Sequence, residues 1–320
     1  MVGIEMDLHI DLTSQQDKII SLEKTTVITR KLGIGKTTIL KLKLCRRQVS
    51  EAGSSRVQDA IDDPEENKAS FLRQPFVTVS PNLCAEVKQY VSRHTSISSD
   101  DPETFVDIPR ESFPLIITFE KLLLMLDHTP GESFFDQFNM GDEKSSFIRS
   151  KNVTYDIFLS HYWPHLGAKK LDASRVFTEI MSHIKGGLQA AESVDRRLNN
   201  EAYFEGRSST LSKQTRELIY AVFQSYEELK TKLCEFDWGY LVNDLQNRFQ
   251  EMEYGGDYMD FVYIDEAQDL SMRSIILLKK ISRDFEQGFM FVGDSAHTVT
   301  TRIEFKLEDI RSLQGRSKSI

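Results

Sequence analysis

The sequence predicts an α/β protein, a parallel β-sheet interrupted by an all-helical insertion. Five short runs rich in β-branched and aromatic residues, at 25–29, 76–80, 115–118, 261–264 and 289–292, read as buried strands. Their nearly unbroken apolar character suits a sheet covered on both faces, and intervening stretches such as 36–45 and 83–91 are long enough for crossover helices. From about residue 119 to 258 no strand pattern occurs, while Leu218, Ile219, Val222, Phe223, Tyr226, Leu229 and Leu233 recur with a helical period.

Composition narrows the function classes. With 320 residues, 40% of them hydrophobic, the chain has material for one large or two modest domains. A formal charge of −9 argues against nucleic-acid binding through the overall field, so any such contact must be local. Cys45, Cys84 and Cys234 lack the spacing of a disulfide framework or a metal site, which suits a reducing compartment. The start has no secretory pattern, and the apolar stretch 114–126 is short and broken by Glu120 and Lys121. An intracellular protein, in nucleus or cytoplasm and with no membrane partner, is expected. Residues 51–69 and 92–103 are polar and contain Pro64 and Pro102, so they read as surface loops.

Taken in order, the first strand leads into Arg30-Lys31-Leu32-Gly33-Ile34-Gly35-Lys36-Thr37-Thr38 and then an apolar-rich helix. This is the order of a P-loop, the G-x-x-x-x-G-K-[ST] pattern, with Arg30 where the pattern has its first glycine. Gly33, Ile34, Gly35, Lys36, Thr37 and Thr38 are the expected nucleotide-binding residues. The glycines let backbone N–H groups face phosphate at a helix N-terminus, Lys36 neutralises the β- and γ-phosphates, and the Thr37 hydroxyl binds Mg2+. The basic run from Lys41 to Arg47 on that helix reads as a solvated face. The fourth strand ends in Asp265 and Glu266, which places both carboxylates at the C-terminal edge of a parallel sheet, where such sheets bind ligands. Asp265 is expected to hold Mg2+, and Glu266 to orient and deprotonate the attacking water.

Asp265-Glu266-Ala267-Gln268-Asp269 resembles the corresponding box of UvrD/Rep-type superfamily 1 helicases. Phe291-Val292-Gly293-Asp294-Ser295-Ala296-His297 resembles the family's Gly-Asp-x-x-Gln motif, with His297 at the glutamine position. Leu12-Thr13-Ser14-Gln15-Gln16 resembles its adenine-reading segment. Thr78-Val79-Ser80-Pro81-Asn82 lies where the family's first single-strand-contacting motif falls, and Ile117-Thr118-Phe119 resembles its following Thr-Phe segment. Cys234-Glu235-Phe236-Asp237-Trp238-Gly239-Tyr240-Leu241 is similar to the Asp-Phe-Asp-Asp-Leu box, apart from Gly239 and Tyr240. The layout is similar to the N-terminal ATP-binding region of plant UvrD-like proteins related to the TPR and ankyrin repeat-containing helicase-like proteins.

That resemblance implies a P-loop NTPase with a RecA-like sheet. Residues 1–119 would form the first part of the RecA-like domain, 120–258 the helical insertion and 259–320 the remainder. Asp265, Glu266 and Gln268 would be the catalytic group, with Gln268 coupling nucleotide to nucleic acid. Gln16 would read adenine and His297 would sense the γ-phosphate. The implied cofactors are ATP and Mg2+, and the implied partner is single-stranded DNA or RNA, with Phe119 and Tyr155 as stacking candidates. Residues 298–320 are too few for the family's second RecA-like lobe, which supplies an arginine finger, so that lobe or a partner chain is expected to be needed for full ATP hydrolysis. The alternatives are a non-catalytic nucleotide-binding interaction module and a truncated fragment of a longer helicase.

Overall fold

The computed structural model describes residues 13–29, 35–58, 71–95, 97–98, 100–129, 131–138, 144–168, 170–187, 190, 197–206 and 211–293. They fall into two compact units, one from the described residues of 13–122, 257–267 and 282–293, the other from those of 123–256 and 268–281.

The first unit holds a five-stranded sheet of β1 (Thr26–Thr29), β2 (Pro75–Thr78), β3 (Leu115–Thr118), β4 (Val262–Ile264) and β5 (Phe289–Gly293). The spatial order is β1-β5-β4-β2-β3 and every pairing is parallel. Each strand matches a run of β-branched or aromatic residues, with its ends moved by at most a residue or two. The two strands that come last in the chain occupy the middle: Tyr263 of β4 stands opposite both Phe76 and Met290. β2, β4 and β5 are buried throughout, as strands with covered faces require.

Four helices accompany this sheet. α1 (Ser14–Ile20) begins at Thr13, whose side chain caps it reciprocally with Gln16. α2 (Lys36–Gln58) follows β1, and α3 (Pro81–Ser92) follows β2 with Ser80 as its cap and proline in its first turn. α4 (Phe119–Asp127) follows β3, and the Thr118 hydroxyl accepts from the Lys121 N–H at 3.2 Å. Residues 51–58, expected in a loop, continue α2. Gly53 costs a helix only about 1 kcal/mol, and no proline occurs before Pro64, so nothing there forces a stop. Ile28, Leu40, Leu44, Phe76, Ile116 and Met290 belong to the core between sheet and helices. Phe119 is 7% exposed, so it packs inside and offers no stacking surface.

The described residues of the second unit are helical apart from loops and one isolated bridge, Asn152 to Phe236. α5 is Lys144–Lys151; α6 (Tyr155–Ile157) runs into a π-turn at Phe158–Tyr162, and α7 (Ala173–Thr178) into another at Glu179–Ile184. α8 (Asn200–Glu205), α9 (Lys213–Lys232), α10 (Trp238–Glu251) and α11 (Met272–Lys280) start at Asn199, Ser212, Asp237 and Ser271, each accepting from a first-turn N–H. The apolar stripe of α9 delivers Ile219, Val222, Phe223 and Tyr226 to a core with Phe158 and Ile180.

A charged knot lies inside this helical unit. Asp237 Oδ2 accepts from Lys230 at 2.7 Å, from the Tyr226 hydroxyl at 3.0 Å and from Lys185. Glu227 pairs with both lysines, each at 2.7 Å. Burial alone would raise the pKa of Asp237, but the two ammonium groups overcome that and hold it far below the usual carboxylate range. Two anions against two cations make the burial tolerable.

Candidate functional site

In a parallel sheet the C-terminal strand ends share one edge, and that edge gathers the predicted site residues of the first unit. α2 begins just past β1, and Asp265 and Glu266 just past β4. Thr37, in the first turn of α2, donates its hydroxyl to Asp265 Oδ2 at 2.6 Å. Asp265 is held from its backbone as well, since its N–H donates to the Val77 carbonyl at 3.0 Å, continuing the β2–β4 pairing. The Glu266 N–H donates to Asp265 Oδ1 at 2.9 Å. Asp265 is only 2% exposed. Burial pushes its pKa up; the bonds from Thr37 and the Glu266 N–H pull it back only in part, helped by the charge of Lys36 and opposed by that of Glu266.

Glu266 itself adopts φ +53°, the left-handed region that costs a side-chain-bearing residue about 1–2 kcal/mol. Such strain concentrates where a side chain must be aimed. Gly35 has φ +56°, which glycine adopts freely, and its carbonyl accepts from the Ile39 N–H at 3.0 Å, opening α2. The N–H groups of the first turn therefore have no intrahelical acceptor and make this end favourable to an anion. Lys36, Thr37 and Thr38 are half-buried there. Gln16 reaches the same place from α1: its Oε1 accepts from the Thr13 N–H at 2.9 Å, and its Nε2 lies 3.5 Å from the point a Cβ on Gly35 would occupy.

Gln16, Gly35, Lys36, Thr37, Thr38, Asp265 and Glu266 are thus all on the first unit. Gln268 stands in the short 3-10 turn Ala267–Asp269, which begins directly after Glu266. Arg30, Gly33, Ile34 and His297 lie outside the described residues. Two motif segments act on the backbone: Thr78 is buried and accepts from the Ser80 N–H at 3.3 Å, and Thr118 starts α4.

The oxygens of Thr37 and Asp265 are hard donors and suit a cation of the Mg2+ type, which takes few protein ligands and completes its shell with water and phosphate. A cation would also offset the charge that Asp265 buries. Among the described residues no group of three or more His, Cys, Asp or Glu side chains is arranged to hold a metal, so a cage of protein ligands is not part of that region.

The profile of the UvrD/REP helicase N-terminal domain matches residues 110–299, more than half of the chain. The chain belongs to the UvrD/REP helicase family. Its parallel sheet and inserted helices are the RecA-like α/β architecture of a UvrD/REP N-terminal domain. The match includes Asp265, Glu266 and Gln268 of this UvrD/REP domain, whereas α1, α2 and the glycine loop precede it. The human TPR and ankyrin repeat-containing protein 1 is 25% identical over 319 residues, covering 83% of this chain and 11% of that protein. This chain therefore spans a small part of that relative's length.

The basic run on α2 departs from the solvated face expected of it. Lys41 and Lys43 are buried, and Lys41 pairs with Glu86 of α3 at 2.7 Å. Arg47 lies over the Phe261 ring at 3.4 Å and donates to the Tyr263 hydroxyl at 3.2 Å, which in turn donates to Gln74. The signal was present in the apolar neighbours Ile39, Leu40, Leu42 and Leu44, which put positions 41 and 43 on a helix with little free surface. The partners of Asp237, Tyr226 and Lys230 from the end of α9 and Lys185 from the turn after the second π-turn, left no such signal.

Proposed function

We propose that this chain is an ATP-binding, ATP-hydrolysing UvrD-like helicase domain that acts on nucleic acid and needs a second RecA-like lobe or a partner chain to work as a motor. The hydrogen bond between Thr37 and Asp265 carries this reading, because it unites the start of the glycine-loop helix with the carboxylate at the strand end. Gly33, Ile34, Gly35 and Thr38 cradle the phosphates through backbone N–H groups, and Lys36 offsets their charge. Thr37 and Asp265 hold Mg2+, which when bound neutralises charge developing on the β- and γ-phosphates. Glu266 orients water and takes its proton as the water oxygen bonds to the γ-phosphorus and the bond to the ADP oxygen breaks. His297 donates to the γ-phosphate. Gln16 reads adenine, for which an amide offers one donor and one acceptor to the N6 and N7 edge. Gln268 couples the nucleotide to single-stranded DNA or RNA in nucleus or cytoplasm.

The family membership supports a helicase-type role. The relation to plant UvrD-like proteins and the division into residues 1–119, 120–258 and 259–320 belong to the same proposal. A second reading, a nucleotide-binding interaction module without turnover, is favoured by Arg30 and His297 at positions where the family pattern has glycine and glutamine.

Phosphate release from Mg-ATP, with and without single-stranded DNA or RNA, separates the two. The motor reading expects stimulated release that Glu266→Gln abolishes while ATP binding persists. Equal release by both proteins would sink it, and binding that Lys36→Ala removes, without any release, would select the module.

A further inference from the structure

The basic run on α2 includes one lysine whose burial the nucleotide chemistry does not explain. Lys43 is 3% exposed, and its ammonium group donates to the Leu22 carbonyl and, at 3.5 Å, to the Ile19 carbonyl. Ile19 is in the last turn of α1 and Leu22 lies just past its C-cap Ser21, where the helix dipole favours a cation. We infer that Lys43 is a positioning residue for base recognition: by tying the end of α1 to α2 it holds Gln16 against Gly35.

α1 needs such a tie. It has seven residues, too few to persist by itself, and Ile20 alone among them is fully buried. Ile19 and Ile20 pack in the core, and two ion pairs each have an exposed carboxylate, Arg46 to Asp17 at 3.0 Å and Arg47 to Glu23, just past α1, at 2.7 Å; pairs of that kind hold little. The charged groups facing Lys43 are Arg47 from its own helix and Glu23 from the segment after α1. Burial first, and then the like charge of Arg47, push the Lys43 ammonium down to about 8, with Glu23 opposing. The fold therefore gains no stability from the charge as such, and a methionine would fill a similar volume. What the ammonium group supplies is the hold on α1.

This inference rests on the nucleotide reading proposed above. In the full chain, Lys43→Met is expected to weaken Mg-ATP binding by about fivefold or more and to leave Mg-tripolyphosphate, which has no base, unchanged. In nucleotide-free protein, amides 14–22 should exchange hydrogen faster in the variant, with the sheet strands unchanged. Wild-type exchange at 14–22 together with wild-type ATP affinity overturns the inference, as does an equal loss of ATP and tripolyphosphate. Failure of the wild-type protein to bind ATP overturns the nucleotide reading, and the exchange measurement still reports whether Lys43 holds α1.

Discussion

Thr37 and Asp265 are joined by a 2.6 Å hydrogen bond across 228 positions of sequence. The bond ties the first turn of α2 to the end of the central strand β4, so it links the sheet to the helix that follows the glycine loop.

Thr37→Ala removes the side-chain donor of this bond and leaves Asp265 with the Glu266 N–H. Unfolding stability should fall by about 1–3 kcal/mol, the usual cost of removing a partner from a buried polar group. Urea denaturation reads this. On the proposed function, ATP binding by the variant should also lose its dependence on Mg2+; a variant as stable and as Mg-dependent as wild type would contradict the assignment.

Glu266→Gly should separate stability from chemistry. Glycine relieves the left-handed strain at φ +53° but loses more chain entropy on folding, for a net gain of at most about 1 kcal/mol. The urea midpoint is expected to hold or rise while phosphate release disappears. A clear drop in midpoint would mean that the glutamate side chain anchors the turn.

Asp237→Asn removes one of the two anions that hold Lys185 and Lys230 inside the helical unit. An uncompensated buried charge costs about 3–5 kcal/mol, so this variant should unfold at much lower urea. Combining it with Lys230→Met restores the balance of charge and should recover part of the loss. Lack of any recovery would show that the hydrogen bonds at Asp237, rather than its charge, carry the effect.

The Lys43 amine gives a pH dependence of definite sign. Its pKa is about 8 in the fold against 10.5 for the free side chain. Between those values the unfolded chain binds more protons, so stability from this group rises with pH across the window. Compared with Lys43→Met, wild type should gain on the order of 1–3 kcal/mol between about pH 7 and pH 10. A gap that stays constant over this range would show that the amine is not held in its buried place.

All five strands were legible because buried parallel strands are short apolar runs, and the helical insertion because α9 repeats its apolar residues at helical spacing. The strand order was not, since nothing local in Val262–Ile264 says that it will lie between Phe76 and Met290. The acidic pair at 265–266 and the threonine at 37 were readable as residue types in a pattern, and the structure joins Thr37 to Asp265 directly. The backbone twist at Glu266 has no compositional trace, because glutamate is not a residue that announces a positive φ. Lys43 was misread as solvated for a related reason: a charge is taken to face water until the helices that enclose it are known. Residues 51–58 were misjudged from polarity, which says little about whether a helix stops.

The sheet order has a consequence for synthesis of the chain. Among the described residues β1 pairs only with β5, and Thr25 beside β1 accepts from the Phe289 N–H across 264 positions. At usual translation rates those positions take on the order of tens of seconds to emerge. For that interval β1 lacks its β5 partner and the β2–β3 pair presents an open edge where β4 will insert, so the nascent protein must keep two apolar strand edges from mispairing until the ribosome delivers these neighbours.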